Sequence, residues 1–354
     1  MPFEDGAGPP PVPAPAMRAM KPLRLSWDHG VAWVEPIGAM LGPVEFRLPN
    51  GTGVSPVAVA PWGDDRSARH EALPPMLKRL RGEWPCVPFG APSAPEGLPQ
   101  RWRGLPVEGA GADFHGFSSH HVWKLVRDEP GLLCLEIAYP PEHAIAGLRR
   151  EIRAVPDAPE IELPLDIMAR RDCRLPLALH AVFALPSEAG MAELRPGGCA
   201  GGWTYPVDAE PGVSRLLSDR PFDSLARAPG RDGTIALNRL PLPFDTEEIV
   251  QIFEPGGRIT LRNHADRYET WIAFDAELFP SALLWISNRG RSAYPWASRF
   301  TAVGIEPLRG AFDLGPEIGT NSDNPIARRG IPTALELRAG RTLSTSYRLG
   351  VAPC

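Results

Sequence analysis

Pro176-Leu177-Ala178-Leu179-His180-Ala181-Val182-Phe183-Ala184-Leu185 is the stretch that decides how this chain folds. Alternation along an extended strand puts Leu177, Leu179, Ala181, Phe183 and Leu185 on one face. That face is apolar throughout and belongs against a core. His180 falls on the opposite face between the small residues Ala178 and Val182, which leaves room beside the ring for a ligand. A second stretch, Val303-Gly304-Ile305-Glu306-Pro307, sets a carboxylate at the end of another apolar run. On pattern alone His180 also reads as a core histidine bonded to backbone, and Glu306 as half of a strand-end salt bridge. A fold that brought the two across one pocket would hold a base and an acid.

Working outward, apolar runs over 132–139, 161–169, 248–253, 258–263, 270–274 and 281–287 read as further strands. Pro (43) and Gly (35) are abundant among the 354 residues, which suits many short strands joined by turns. Glu254-Pro255-Gly256-Gly257 carries a hairpin signal, and 335–349 reads as a closing hairpin turning at Ala339-Gly340. The clearest helix is 74–81. Proline stands in its first turn, Met76, Leu77 and Leu80 form one apolar stripe, and Gly82 follows as a stop. It is too short for a domain and reads as a lid or plug against a sheet. The expected fold is all-β, a large antiparallel β-sandwich with a few short helices. The expected organisation is a flexible Pro-rich tail over 1–22 and one domain over 23–354.

Composition excludes several functions. The net charge of -5 is spread along the chain with no basic block, which argues against nucleic acid as a partner. No apolar run approaches the roughly 18–20 residues of a membrane-spanning helix, and the first residues lack a signal-peptide core. Five widely spaced cysteines without a C-x-x-C suggest reduced thiols and a cytoplasmic protein. Adjacent His120 and His121 would point to opposite faces of an extended segment, so no metal site is read there. Asn288-Arg289-Gly290-Arg291 reads as an exposed turn.

Several stretches, in chain order, resemble the aldose 1-epimerase (galactose mutarotase) family. Leu179-His180-Ala181-Val182-Phe183-Ala184-Leu185 is similar to that family's Asn-His-x-Tyr-Phe-Asn-Leu motif. Phe114-His115-Gly116, with Trp123 downstream, resembles its His-Gly-Gly loop and following Trp. Gly304-Ile305-Glu306-Pro307, with Asp313 beyond, is similar to its late Leu-Glu segment. Leu337-Arg338-Ala339-Gly340-Arg341 through Tyr347 resembles its C-terminal turn. Leu179, Val182 and Ala184 replace polar residues of the motif. Trp84-Pro85-Cys86-Val87-Pro88-Phe89-Gly90 stands where the family carries a substrate-binding arginine segment, so the resemblance is to a divergent member.

The resemblance implies a galactose mutarotase-like supersandwich and an isomerase of carbohydrate metabolism that interconverts sugar anomers. Its ligand would be a small-molecule sugar, bound by a monomer or homodimer without metal or cofactor. Glu306 would be the base on O1, His180 the acid at the ring oxygen, and His115 a holder of a hydroxyl or the ring oxygen. Arg81 stands in for the missing arginine, with Arg79, Arg101 and Arg103 as neighbouring choices. Asp245 is placed on sugar hydroxyls because it lies midway between His180 and Glu306, although it also reads as a loop acid or N-cap. Trp285 and Trp296 are read as stacking on the ring or as core. Two groups acting on O1 and the ring oxygen are expected about one sugar ring apart, on the order of 5–8 Å. Two alternatives remain: a non-catalytic carbohydrate-binding or regulatory protein, and an epimerase of hexose phosphates with arginines at the pocket mouth.

Overall fold

The computed structural model describes residues 21–354, so the Pro-rich tail expected over 1–22 lies outside the described residues except at its last two. Two large antiparallel sheets form the described chain, one of eleven strands and one of nine. Helix is confined to short pieces such as Ala68–Glu71, Pro75–Lys78 and Phe117–His120. The architecture is the expected all-β sandwich.

The sheets are built from different strands. In the nine-stranded sheet, Glu160–Ala169 alternates half-buried and buried positions along its whole length, as a strand does with one face on a core. Five strands of the eleven-stranded sheet matter below: β1 (Glu83–Cys86), β2 (Leu177–Ala184), β3 (Thr246–Phe253), β4 (Ser281–Asn288) and β5 (Thr301–Arg309). Every residue of β1, β3 and β4 is buried. Both faces of this sheet are therefore covered, which accounts for near-continuous apolar runs such as Ser281–Asn288.

The inner face packs Leu179, Ala181, Phe183, Val303 and Ile305 into the same core as Leu163, Leu165 and Ile167 of the other sheet. The outer face carries Ala178, Val182, Leu283 and Trp285 into a second cluster with Met76, Leu80, Phe89 and Phe312. The alternation read for 177–185 thus separates two cores. The strands run in the order β1-β2-β5-β4-β3.

One charged group crosses the inner core. Glu83 of β1 accepts hydrogen bonds from the Arg150 guanidinium and the Tyr347 hydroxyl, both on the nine-stranded sheet. Glu83 and Arg150 are wholly buried, and Tyr347 nearly so. Arg150 also donates to the Ala39 carbonyl at 3.1 Å.

Several sequence expectations are corrected. Neither expected hairpin is one. After Glu254-Pro255-Gly256-Gly257 the chain changes sheets: β3 pairs with β4 and Gly202–Thr204, whereas Arg258–Asn263 pairs with Tyr268–Ala273 and Ala192–Pro196. Around Ala339-Gly340, Leu335–Leu337 pairs with Cys173–Leu175 while Thr342–Pro353 pairs with Glu160–Ala169. Turn residues fix a reversal, but the core that an apolar face can reach selects the partner. The run over 175–185 divides at Pro176, which has no N–H for a ladder. The helix over 74–81 shortens to Pro75–Lys78. Glu306 is not at a strand end, because β5 continues through Pro307 to Arg309.

Candidate functional site

The register of β2 and β5 builds the site. Ala178 pairs with Leu308 and Val182 with Gly304, so His180 stands directly across from Glu306. Such cross-strand neighbours have Cβ atoms about 4.5–5.5 Å apart. His180 Nε2 lies 3.5 Å from Glu306 Oε1. The expected gap of one sugar ring is therefore corrected, because the two groups sit side by side on one wall. Gly304, on the same face, makes this possible: a Cβ there would stand 2.6 Å from Glu306 Oε1.

Both side chains line a cavity of about 300 Å³, large enough for one small molecule. The sheet contributes Ile249, Leu283 and Trp285 beside them. Loops add Phe114 and His115, the short helix Phe117–His120 adds His120, and further on come Arg291, Trp296 and Asp313. Pro74, Met76, Leu77 and Leu80 complete the enclosure, so the apolar stripe read from the sequence faces the cavity.

Aromatic contacts fix the rings. Trp84, paired in register with His180 on β1, stacks on it at 4.0 Å between centroids and 17° between planes. His115 stacks on Phe89 at 4.6 Å and stands 5.1 Å from the His180 ring. The Gly90 N–H donates to His115 Nδ1, which leaves the ring proton of neutral His115 on Nε2. His115 has φ of +60°, and a Cβ on the following Gly116 would lie 2.5 Å from the Val87 carbonyl oxygen. Only glycine allows the turn to approach the segment just after β1 so closely.

Burial governs the charges. It lowers the His180 imidazole from its ordinary 6.5 to about 3, and pushes the Glu306 carboxyl well above its ordinary 4.5, with Asp313 adding to the rise. Burial likewise raises Asp313 and holds His115 well below the usual histidine range. An ion pair at this depth would need hydrogen bonds to its remaining atoms. His180 Nδ1 and Glu306 Oε2 have no partner. Burial therefore favours the neutral form of the pair, a protonated carboxyl beside an unprotonated imidazole, over the ion pair. The neutral form contains the same single transferable proton as a carboxylate beside an imidazolium.

The other expected site residues divide. Trp285 lines the cavity with its indole N–H bonded to Glu247 Oε1 at 2.6 Å. Asp245 does not reach it. That side chain is exposed in the loop before β3 and pairs with Arg289 at 2.8 Å. Arg81 is also absent from the lining: its Nε donates to the Arg79 carbonyl, and Arg79 donates to Gly63. The stripe that delivers Met76, Leu77 and Leu80 turns these arginines the other way. Arg101 pairs with Asp219, again outside the cavity.

Arg291, read from the sequence as part of an exposed turn, lines the cavity. Its guanidinium lies 4.8 Å from the Trp296 ring and its Nε 3.3 Å from Glu247 Oε1. Sequence reasoning also missed Trp84, Phe89 and the site position of Asp313. Trp84 carried no spacing signal, since its partner is a cross-strand histidine far away in the chain.

No family model matches the sequence, and no curated protein matches it. Solved structures do. A putative aldose 1-epimerase from Escherichia coli K12 superposes with a TM-score of 0.62 at 13% identity, over 94% of this chain and 99% of the other. A galactose mutarotase-like protein from Lactobacillus casei gives 0.60 at 11% identity, over 94% and 100%. An aldose epimerase homologue from C. elegans gives 0.60 at 13%, over 94% and 99%. This chain has the galactose mutarotase-like fold. Within that fold the His180–Glu306 pair occupies the outer face of the larger sheet, under the layer of loops that encloses the cavity.

Proposed function

We propose that this protein is an aldose 1-epimerase-like isomerase that interconverts sugar anomers by opening and reclosing the ring. The observation that carries the reading is the His180–Glu306 pair, 3.5 Å apart on the wall of one small cavity. Ring opening removes the proton from O1, breaks the bond between C1 and the ring oxygen, and protonates that oxygen. Both oxygens are bonded to C1, so two adjacent groups on one wall can serve them. The resting protonation states reverse the roles expected from the sequence. Neutral His180 takes the O1 proton and the Glu306 carboxyl gives its proton to the ring oxygen. Rotation about the C1–C2 bond and the reverse transfers yield the other anomer and restore the pair. His115 Nε2–H is a donor for an oxygen of the open-chain form. Positioning and general acid–base transfer are sufficient, the latter contributing roughly 10²–10⁴-fold.

The test is equilibration of a pure anomer followed by polarimetry or NMR exchange. Glu306→Gln and His180→Gln should each lower the accelerated rate by about 10²–10⁴-fold. Unchanged rates in either variant would remove that residue from the chemistry. The carbohydrate-binding alternative is favoured by the apolar Ala178, Val182 and Ala184 on the cavity side of β2, and saturable sugar binding without any rate effect would select it. The hexose-phosphate alternative lacks its arginine cluster. Arg291 is the one arginine among the described lining residues, and Glu247 and Glu210 lie 3.3 and 3.5 Å from its Nε.

A further inference from the structure

We propose that the cavity selects a sugar in which a hydroxyl remote from the anomeric carbon is missing or capped by an alkyl group, as in a deoxyhexose. This rests on reading the cavity as a sugar site. It follows from how hydrogen-bonding groups are distributed around the enclosure. Those able to meet a sugar oxygen stand on or beside the sheet, at His180, Glu306, His115 and Asp313, and on the loop that carries Arg291 and Trp296. Two polar lining residues each have one nitrogen facing a protein partner. His120 Nε2 is 2.8 Å from the Phe114 carbonyl oxygen, and Arg291 faces both Glu247 and Glu210.

The segment that completes the enclosure contributes Pro74, Met76, Leu77 and Leu80, none with a polar side chain. It is also fixed in place, because the Trp62 indole donates to the Leu77 carbonyl at 2.7 Å. A hydroxyl turned toward this segment leaves water without gaining a partner, which weakens binding by about tenfold to a hundredfold. Hydrogen or a methyl group at the same place meets apolar surface and avoids that loss. A fully hydroxylated hexose therefore suits the sheet side of the cavity and is penalised on the other. Leu77 is the residue to alter, since it lines the cavity yet is only half-buried and takes no part in the proton transfer.

The experiment compares D-glucose and D-galactose with their 6-deoxy forms and with the 4-deoxy sugar common to both. Anomer equilibration gives kcat/KM, and calorimetry gives Kd. At least one deoxy sugar should exceed its parents by about tenfold in either measure, and Leu77→Asn should shrink that advantage. Parents that are bound and equilibrated as well as every deoxy form would overturn the proposal, as would an advantage unaffected in a folded Leu77→Asn protein. If no sugar is equilibrated faster than in buffer, calorimetry still decides. Tighter binding of a deoxy form would sustain the selectivity while sinking the isomerase reading, and equal binding or none would sink the selectivity as well.

Discussion

Replacing Glu306 by Gln should change how stability depends on pH, in a direction set by the protonation of the buried pair. In the folded protein the Glu306 carboxyl stays protonated well above 4.5, its ordinary value when the chain is unfolded. Above pH 4.5 the unfolded state has lost that proton and the folded state has not. Stability then falls with rising pH by about 1.4 kcal/mol per unit until the folded carboxyl ionises. His180 acts oppositely. It is protonated below 6.5 when unfolded but only below about 3 when folded. Its contribution therefore rises with pH across that window, on the order of 5 kcal/mol in full. In the wild type the two slopes oppose each other as pH rises above 4.5, and stability declines on the acid side through His180.

Glu306→Gln removes one slope. Urea unfolding from pH 4 to 8 should show the variant rising up to pH 6.5 and then level, with the wild type losing stability relative to it as pH rises above 4.5. His180→Gln should be level below pH 4.5 and fall above it. If the pair were instead a carboxylate–imidazolium ion pair, the signs would invert. Wild type would gain stability relative to Glu306→Gln as pH rises through 4.5, and lose its advantage over His180→Gln only above 6.5. That outcome, or wild-type and Glu306→Gln curves that stay parallel as pH rises above 4.5, would refute the neutral pair.

Other perturbations test the surroundings. Arg150→Met strands the wholly buried Glu83 carboxyl between the sheets and should cost about 3–5 kcal/mol in urea unfolding, with a large part regained in Glu83→Gln/Arg150→Met. Arg291→Ala removes the cation from the Trp285 and Trp296 rings and leaves Glu247 without its ion partner. It should raise KM for sugar about tenfold, corresponding to roughly 1–2 kcal/mol, with a smaller effect on kcat. Asp245→Asn and Arg81→Gln, at positions outside the cavity, should leave kcat/KM for anomer equilibration within about twofold of wild type. Asp245→Asn should also alter stability by less than about 0.5 kcal/mol, because its ion pair with Arg289 is exposed.

Period-two alternation over 177–185 was enough to put His180 on the face away from Leu179, Ala181 and Phe183, because side-chain direction in a strand is a local property. Abundant proline and glycine gave the strand-and-turn character, and the spacing of Met76, Leu77 and Leu80 gave a segment with one apolar side. These are consequences of backbone geometry acting over a few residues. Strand partners are not local. The turn at 254–257 looked like a hairpin and instead hands the chain to the other sheet. The 3.5 Å approach of His180 to Glu306 comes from a β2–β5 register between residues far apart in the chain. Arg291, Asp313 and Trp84 join the site by the same long-range packing, whereas Asp245 and Arg81 were chosen by position along the chain and lie outside it. The charge states are the most tertiary feature, because burial comes only from the assembled layers, and it is burial that puts the resting proton on Glu306 and leaves His180 neutral.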